Sequence, residues 1–242
     1  IIDKLKQQFR QGSVLLKLIY INVAIFLLLR LTWVVLMLFN IDGYVILPFI
    51  EMPSIPYEFI THPWTLLTYM FVHYDVWHIL FNMLTLWCVG PVLERMMEHW
   101  SFLALYAVSG LAGGTGMMLW AVLSGASGWI TPVYGASGAL FGLFAAILVV
   151  YRRIGLDIRS MMIWMLINFL MPVIMPNIAW QAHLGGFLFG GMFTWLLVSG
   201  LRILRGKSLP RRTLIYGTVM VIVIIAIDLL CNVVNPVNMA LF

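Results

Sequence analysis

Ser137 stands in YGASGALFG (134–142), among small residues at the head of an apolar segment. A serine there either packs helices or attacks a carbonyl, and the second use needs a base. A serine hydroxyl is a weak nucleophile until a neighbouring group takes its proton. His183 can be that group, because imidazole titrates near neutrality and can return the proton to a leaving amine. His78 and Asn82 are spaced i and i+4, so on a helix they share one face and can offer donors to a developing oxyanion. The Ser137 amide opens a helix, has no intrahelical partner and is a third donor. The expected constellation is Ser137 as nucleophile, His183 as general base, and His78, Asn82 and the Ser137 amide as oxyanion donors. No acidic residue adjoins Ser137 or His183 in sequence, which favours a dyad over a triad. Neither a metal nor an organic cofactor is expected.

These side chains need a scaffold at membrane depth. Of the 242 residues 63% are hydrophobic and only 10% charged, with a mean hydropathy of +1.02. A soluble domain is nearer half apolar and a quarter charged, so this composition reads as an all-α polytopic membrane protein. Seven apolar segments are expected, over 17–39, 76–93, 102–123, 136–151, 161–175, 182–200 and 213–233. The fourth and fifth are shorter than the roughly 17 residues needed to span hydrocarbon, which is tolerated where protein surrounds their ends. The segment starting at Ser137 is therefore expected to be central. No signal peptide is expected at the basic amphipathic start.

Thirteen of the fourteen Lys and Arg residues fall on one side if the N-terminus is cytoplasmic. They precede the first segment (Lys4, Lys6, Arg10, Lys17) or follow the second (Arg95), the fourth (Arg152, Arg153, Arg159) and the sixth (Arg202, Arg205, Lys207, Arg211, Arg212). The C-terminus is then outside, and Arg30 lies within a span. With this topology Ser137, His183, His78, Asn82 and His73 all come out near the outer face. Gly138 and Gly142 on the fourth segment, and Ala182, Gly186 and Gly190 on the sixth, form small-residue faces that let two backbones approach closely. That approach would carry Ser137 to His183. The loop 40–75 holds Tyr57, Phe59, Trp64 and Tyr69 with little charge, and is expected to pack in the membrane interface.

Three stretches carry a family resemblance: G-A-S-G at 135–138, A-H-L-G-G-F-L-F-G at 182–190 and H-Y-D-V-W-H-I-L-F-N at 73–82. Together and in this order they resemble the motifs of rhomboid intramembrane serine proteases. The resemblance covers the six segments from 17 to 200, so residues 1–200 are expected to form a rhomboid core. Residues 201–242 add a basic linker and a seventh span, a six-plus-one arrangement. The resemblance implies the roles given above for Ser137, His183, His78 and Asn82. It makes His73 a structural, hydrogen-bonding residue and Gly135, Gly138 and Gly186 supporting residues. It also implies that the loop 40–75 is interfacial, and that the fifth helix and the loop before His183 gate substrate. Some members carry a tyrosine four residues after the serine, packed on the histidine ring; Phe141 stands there and keeps the packing without the hydroxyl.

The expected function is cleavage of transmembrane segments of other membrane proteins near the outer membrane face. The expected location is a bacterial inner (plasma) membrane, with the lipid bilayer and transmembrane substrates as partners and no nucleic acid. The alternative is a catalytically silent relative that binds membrane helices, though silent relatives typically lack the serine or the histidine, and this chain has both. A transporter would show an inverted repeat, and none is visible. Cys88 and Cys231 read as buried free thiols, and His62 and His99 as ordinary polar loop residues. Arg30 and Asp228 lie at similar depth in the first and seventh spans and are expected to pair, docking those helices together. A competing assignment makes Asp228 a distant third member orienting His183.

Overall fold

The computed structural model describes residues 12–41, 54–174 and 178–236. Helix α1 is Val14–Leu38. The next helical run, Val76–Ser124, is two helices joined at Glu98, whose φ of 64° and ψ of 160° are not helical. We number them α2 (76–97) and α3 (99–124). Then follow α4 (Ser137–Ile154), α5 (Arg159–Ile174), α6 (Trp180–Val198) and α7 (Leu209–Asn232). Among the described residues there is no strand, only an isolated bridge between Ser54 and Val133. The helices α1, α4, α6, α7 and the run 76–124 are long and apolar enough to cross a membrane, and α5 carries a shorter apolar stretch over 161–170. The protein is an all-α polytopic membrane protein.

The seven expected segments are each helical where described. Their ends differ most between the second and third, where a linker was expected. There the helix runs on to Glu98 and turns at that one residue, so His99 sits in α3 rather than in a loop. Glu94 explains why this corner is fixed. Its carboxylate is nearly buried and accepts hydrogen bonds from the Ser13 hydroxyl (2.9 Å), the Val14 amide (2.5 Å) and the Leu15 amide (3.3 Å). It thereby satisfies orphan donors at the positive end of α1. His99 Nδ1 reaches the same carboxylate at 2.7 Å.

The centre of the bundle is α4, packed between α3 and α6 and buried over most of its length. Glycines let these three backbones cross. A Cβ on Gly186 would overlap the Gly138 carbonyl, and one on Gly190 would overlap the Gly142 backbone. The outward faces of α1 and α2 expose Leu27, Leu28, Leu31, Trp77, Phe81 and Trp87, as lipid contact requires. Of the loop expected to pack in the interface, residues 42–53 lie outside the described residues, as do Lys4, Lys6 and Arg10. The rest folds into short turns (Pro56–Glu58, Thr65–Thr68, Tyr69–Phe71). It buries Phe59, Leu66, Tyr69 and Met70 while exposing Tyr57, Ile60 and Trp64.

Two further expectations are corrected. Cys231 is buried, but Cys88 is exposed. The packed stripe of α2 is Ile79, Met83, Leu86, Gly90 and Leu93, and Cys88 falls off it. Arg30 and Asp228 do not pair. Helix α7 packs on α3 and α6 rather than on α1. Asp228 Oδ2 accepts from the Thr115 hydroxyl of α3 at 3.2 Å, while Arg30 donates to the carbonyls of His73 (3.2 Å) and Tyr74 (2.7 Å).

Candidate active site

Ser137 is the first residue of α4, and the turn before it is held from both sides. Gly135 adopts φ +97°, the left-handed region that favours glycine. Its amide donates to the Tyr69 carbonyl at 2.9 Å. The Tyr69 phenol, fully buried, donates to the Gly110 carbonyl of α3 at 2.7 Å. Tyr69 thus ties the turn before Ser137 to the neighbouring helix. Sequence reasoning placed this residue only in an aromatic loop, because neither bond has a local signature.

Helix α6 brings His183. Its glycine face sits on α4 and α3, with the Ala182 carbonyl against Gly113 and Gly138. This sets His183 Nε2 3.0 Å from Ser137 Oγ. Phe141, one turn along α4, stacks on the imidazole with ring centroids 4.1 Å apart and planes 10° from parallel. Phe169 of α5 packs edge-on against Phe141 at 4.5 Å. The imidazole is therefore held by aromatic contact, and among the described residues no protein group hydrogen-bonds its Nδ1. Asp228 is bound to Thr115 and does not orient His183.

Helix α2 carries His78 and Asn82 to the turn before α4. Asp75 caps it by accepting from the His78 amide at 2.8 Å. The His78 ring meets the buried His73 ring edge to face at 5.0 Å. Burial above all, and then the neighbouring His78 ring, push the His73 pKa down from 6.5 to about 3, so the ring is neutral at ordinary pH. His78 Nε2 and Asn82 Nδ2 face Gly135: a Cβ built on that glycine would stand 2.5 Å and 3.4 Å from them. Asn82 is buried, and its Nδ2 has no hydrogen-bond partner among the described residues.

The structure therefore gathers Ser137, His183, Phe141, Gly135, His78, Asn82 and His73 from the loop before α2, α2, the turn before α4, α4 and α6. Gly138 and Gly186 form the crossing beneath them. His62 stays outside this group, 3.5 Å from the Glu58 carboxylate. Of the expected gate, α5 is present but residues 175–177 lie outside the described residues. Among the described residues no group of three His, Cys, Asp or Glu side chains is set to hold a metal. A hydroxyl against an imidazole, beside unused donors, is chemically suited to acyl transfer.

Comparison with known proteins bears on the family of the chain. A family model described as "Rhomboid domain" matches residues 61–200. The chain is 35% identical over 138 residues to "Rhomboid protease GluP" of Bacillus subtilis, covering 54% of this chain and 25% of that protein. It is 32% identical over 142 residues to "RHOMBOID-like protein 5" of Arabidopsis thaliana, covering 56% and 44%. It is 25% identical over 173 residues to "Rhomboid protein 1, mitochondrial" of Saccharomyces cerevisiae, covering 63% and 47%. The chain thus spans between a quarter and just under half the length of these relatives.

Proposed function

Because the chain belongs to the rhomboid family, we propose that it is an intramembrane serine endopeptidase, cleaving transmembrane segments of other membrane proteins near the outer membrane face. The observation that carries this reading is the 3.0 Å approach of His183 Nε2 to Ser137 Oγ, with the ring held on Phe141. In the tautomer with its proton on Nδ1, His183 accepts the Ser137 proton as Oγ attacks the scissile carbonyl. The oxyanion that forms takes hydrogen bonds from His78, Asn82 and the Ser137 amide. The imidazolium then protonates the leaving amine, and a water activated by the same ring hydrolyses the acyl-enzyme. No step calls for a metal or organic cofactor.

A helical substrate hides its carbonyls in its own hydrogen bonds, so the cleaved bond must be extended. Substrates with helix-breaking or small residues near the outer face are favoured. The charge distribution supports a cytoplasmic N-terminus and an outer C-terminus. The proposed setting is a bacterial plasma membrane, one of the relatives being from Bacillus subtilis. The interfacial loop and the gating by α5 belong to the same reading.

The test is labelling of purified protein with a fluorophosphonate probe, alongside cleavage of a panel of single-span substrates. Wild type should be labelled and should cleave. Ser137→Ala should do neither, with unchanged thermal stability. Equal cleavage by both proteins, or no labelling of wild type, would refute the reading. Substrate binding without labelling would point instead to a silent, helix-binding relative.

A further inference from the structure

Arg30 lies two-thirds of the way along an apolar helix whose neighbouring residues Leu27, Leu28 and Leu31 are each about 60% exposed, facing lipid. A guanidinium at that depth is costly unless something uses it. Its Nη2 donates to two backbone carbonyls, those of His73 and Tyr74. Those carbonyls precede Asp75, whose own carbonyl is the first acceptor of α2, receiving the Ile79 amide at 3.2 Å. They therefore belong to no helical ladder and need another donor. One nitrogen carrying two hydrogens serves both, and the charge strengthens both bonds. The guanidinium carbon also sits over the Phe26 ring, 5.2 Å from its centroid, a favourable cation–π contact.

What hangs on those two carbonyls is the donor limb of the site. His73 carries one of them, and its ring packs against His78. Asp75, one residue on, caps the amide of His78. His78 Nε2 in turn lies against the Gly135 turn that precedes Ser137. A shift of the 73–75 turn moves His78 relative to Ser137, while Ser137 and His183, on α4 and α6, keep their own contact. We infer that Arg30 is a positioning residue: from within α1 it holds the turn at His73 and Tyr74 and thereby aims His78 at the reacting centre. This rests on the proteolytic reading above.

The experiment compares wild type, Arg30→Met, Arg30→Lys, His78→Ala and the double variant Arg30→Met/His78→Ala. Each is measured for fluorophosphonate labelling rate, for kcat and KM on a single-span substrate, and for thermal midpoint in detergent. Arg30→Met should lower kcat and labelling rate by about tenfold with KM within about twofold, the pattern of an interaction felt mainly in the transition state. Arg30→Lys keeps the charge on a nitrogen with three hydrogens, enough to serve both carbonyls, so it should recover part of the rate. In the His78→Ala background, Arg30→Met should cost little more, because the limb it aims is gone. If Arg30→Met does not fold, Arg30→Gln, which fills similar space without the charge, takes its place in the cycle. Full activity of Arg30→Met, or losses that multiply independently in the double variant, overturns the inference and leaves the protease reading standing. A wild type that is never labelled overturns both.

Discussion

Asn82 is a residue whose stability and activity effects should run in opposite directions. Its Nδ2 is buried and donates to nothing among the described residues. It thus contributes no hydrogen bond to another protein group among the described residues. In the proposed reaction that donor meets an oxyanion and becomes favourable. Asn82→Ala should therefore lower kcat by up to about 10²–10³-fold, less if His78 and the Ser137 amide compensate. Its thermal midpoint should stay level or rise. Measuring both on one preparation decides the matter: a rate loss that follows a falling midpoint would make Asn82 a structural residue.

The seventh helix is joined to the core by polar pairs rather than by the motifs. Thr213 meets Ser101 at 2.7 Å, Thr115 donates to Asp228, and Asn235 donates to the Tyr57 carbonyl at 3.1 Å. The Thr115–Asp228 pair should break asymmetrically. Thr115→Val leaves a fully buried Asp228 without its donor and should destabilise by about 1–3 kcal/mol. Asp228→Leu removes the demanding partner, and Thr115 falls back on the Leu111 carbonyl that it already reaches at 3.4 Å, so its effect should be smaller. The double variant should be more stable than Thr115→Val alone. Unfolding in detergent followed by circular dichroism measures all three. Simple additivity would mean that the two side chains do not communicate.

At the scale of the molecule, the arrangement of charge sets orientation. Lys207, in the linker between α6 and α7, and Ser127, after α3, are both exposed and are expected on opposite sides of the membrane. With Cys88 and Cys231 replaced by alanine, a single cysteine at each position can be probed in intact bacterial cells with an impermeant maleimide. Ser127→Cys should react from outside, and Lys207→Cys only after lysis. The reverse pattern would put Ser137 and His183 near the cytoplasmic face and change the substrates the protein could meet.

The seven helices, the family and the convergence of Ser137 with His183 were readable from the chain alone. Apolar runs, small-residue spacing and motif order are local properties, and depth follows from counting residues along a helix of fixed rise. Phe141 was readable only through the family resemblance, as the residue standing where some members carry a tyrosine packed on the histidine ring. Counting says nothing of which way a residue points around the bundle. Arg30 and Asp228 matched in depth yet face different neighbours, and Cys88 proved to lie off the packed stripe of α2. The turn at Glu98, the cap that Glu94 places on α1 and the hold of Tyr69 on the Gly135 turn are likewise contacts between residues far apart in sequence. Rotation about each helix axis is set only when all the helices pack at once, so tertiary structure alone decided these pairings.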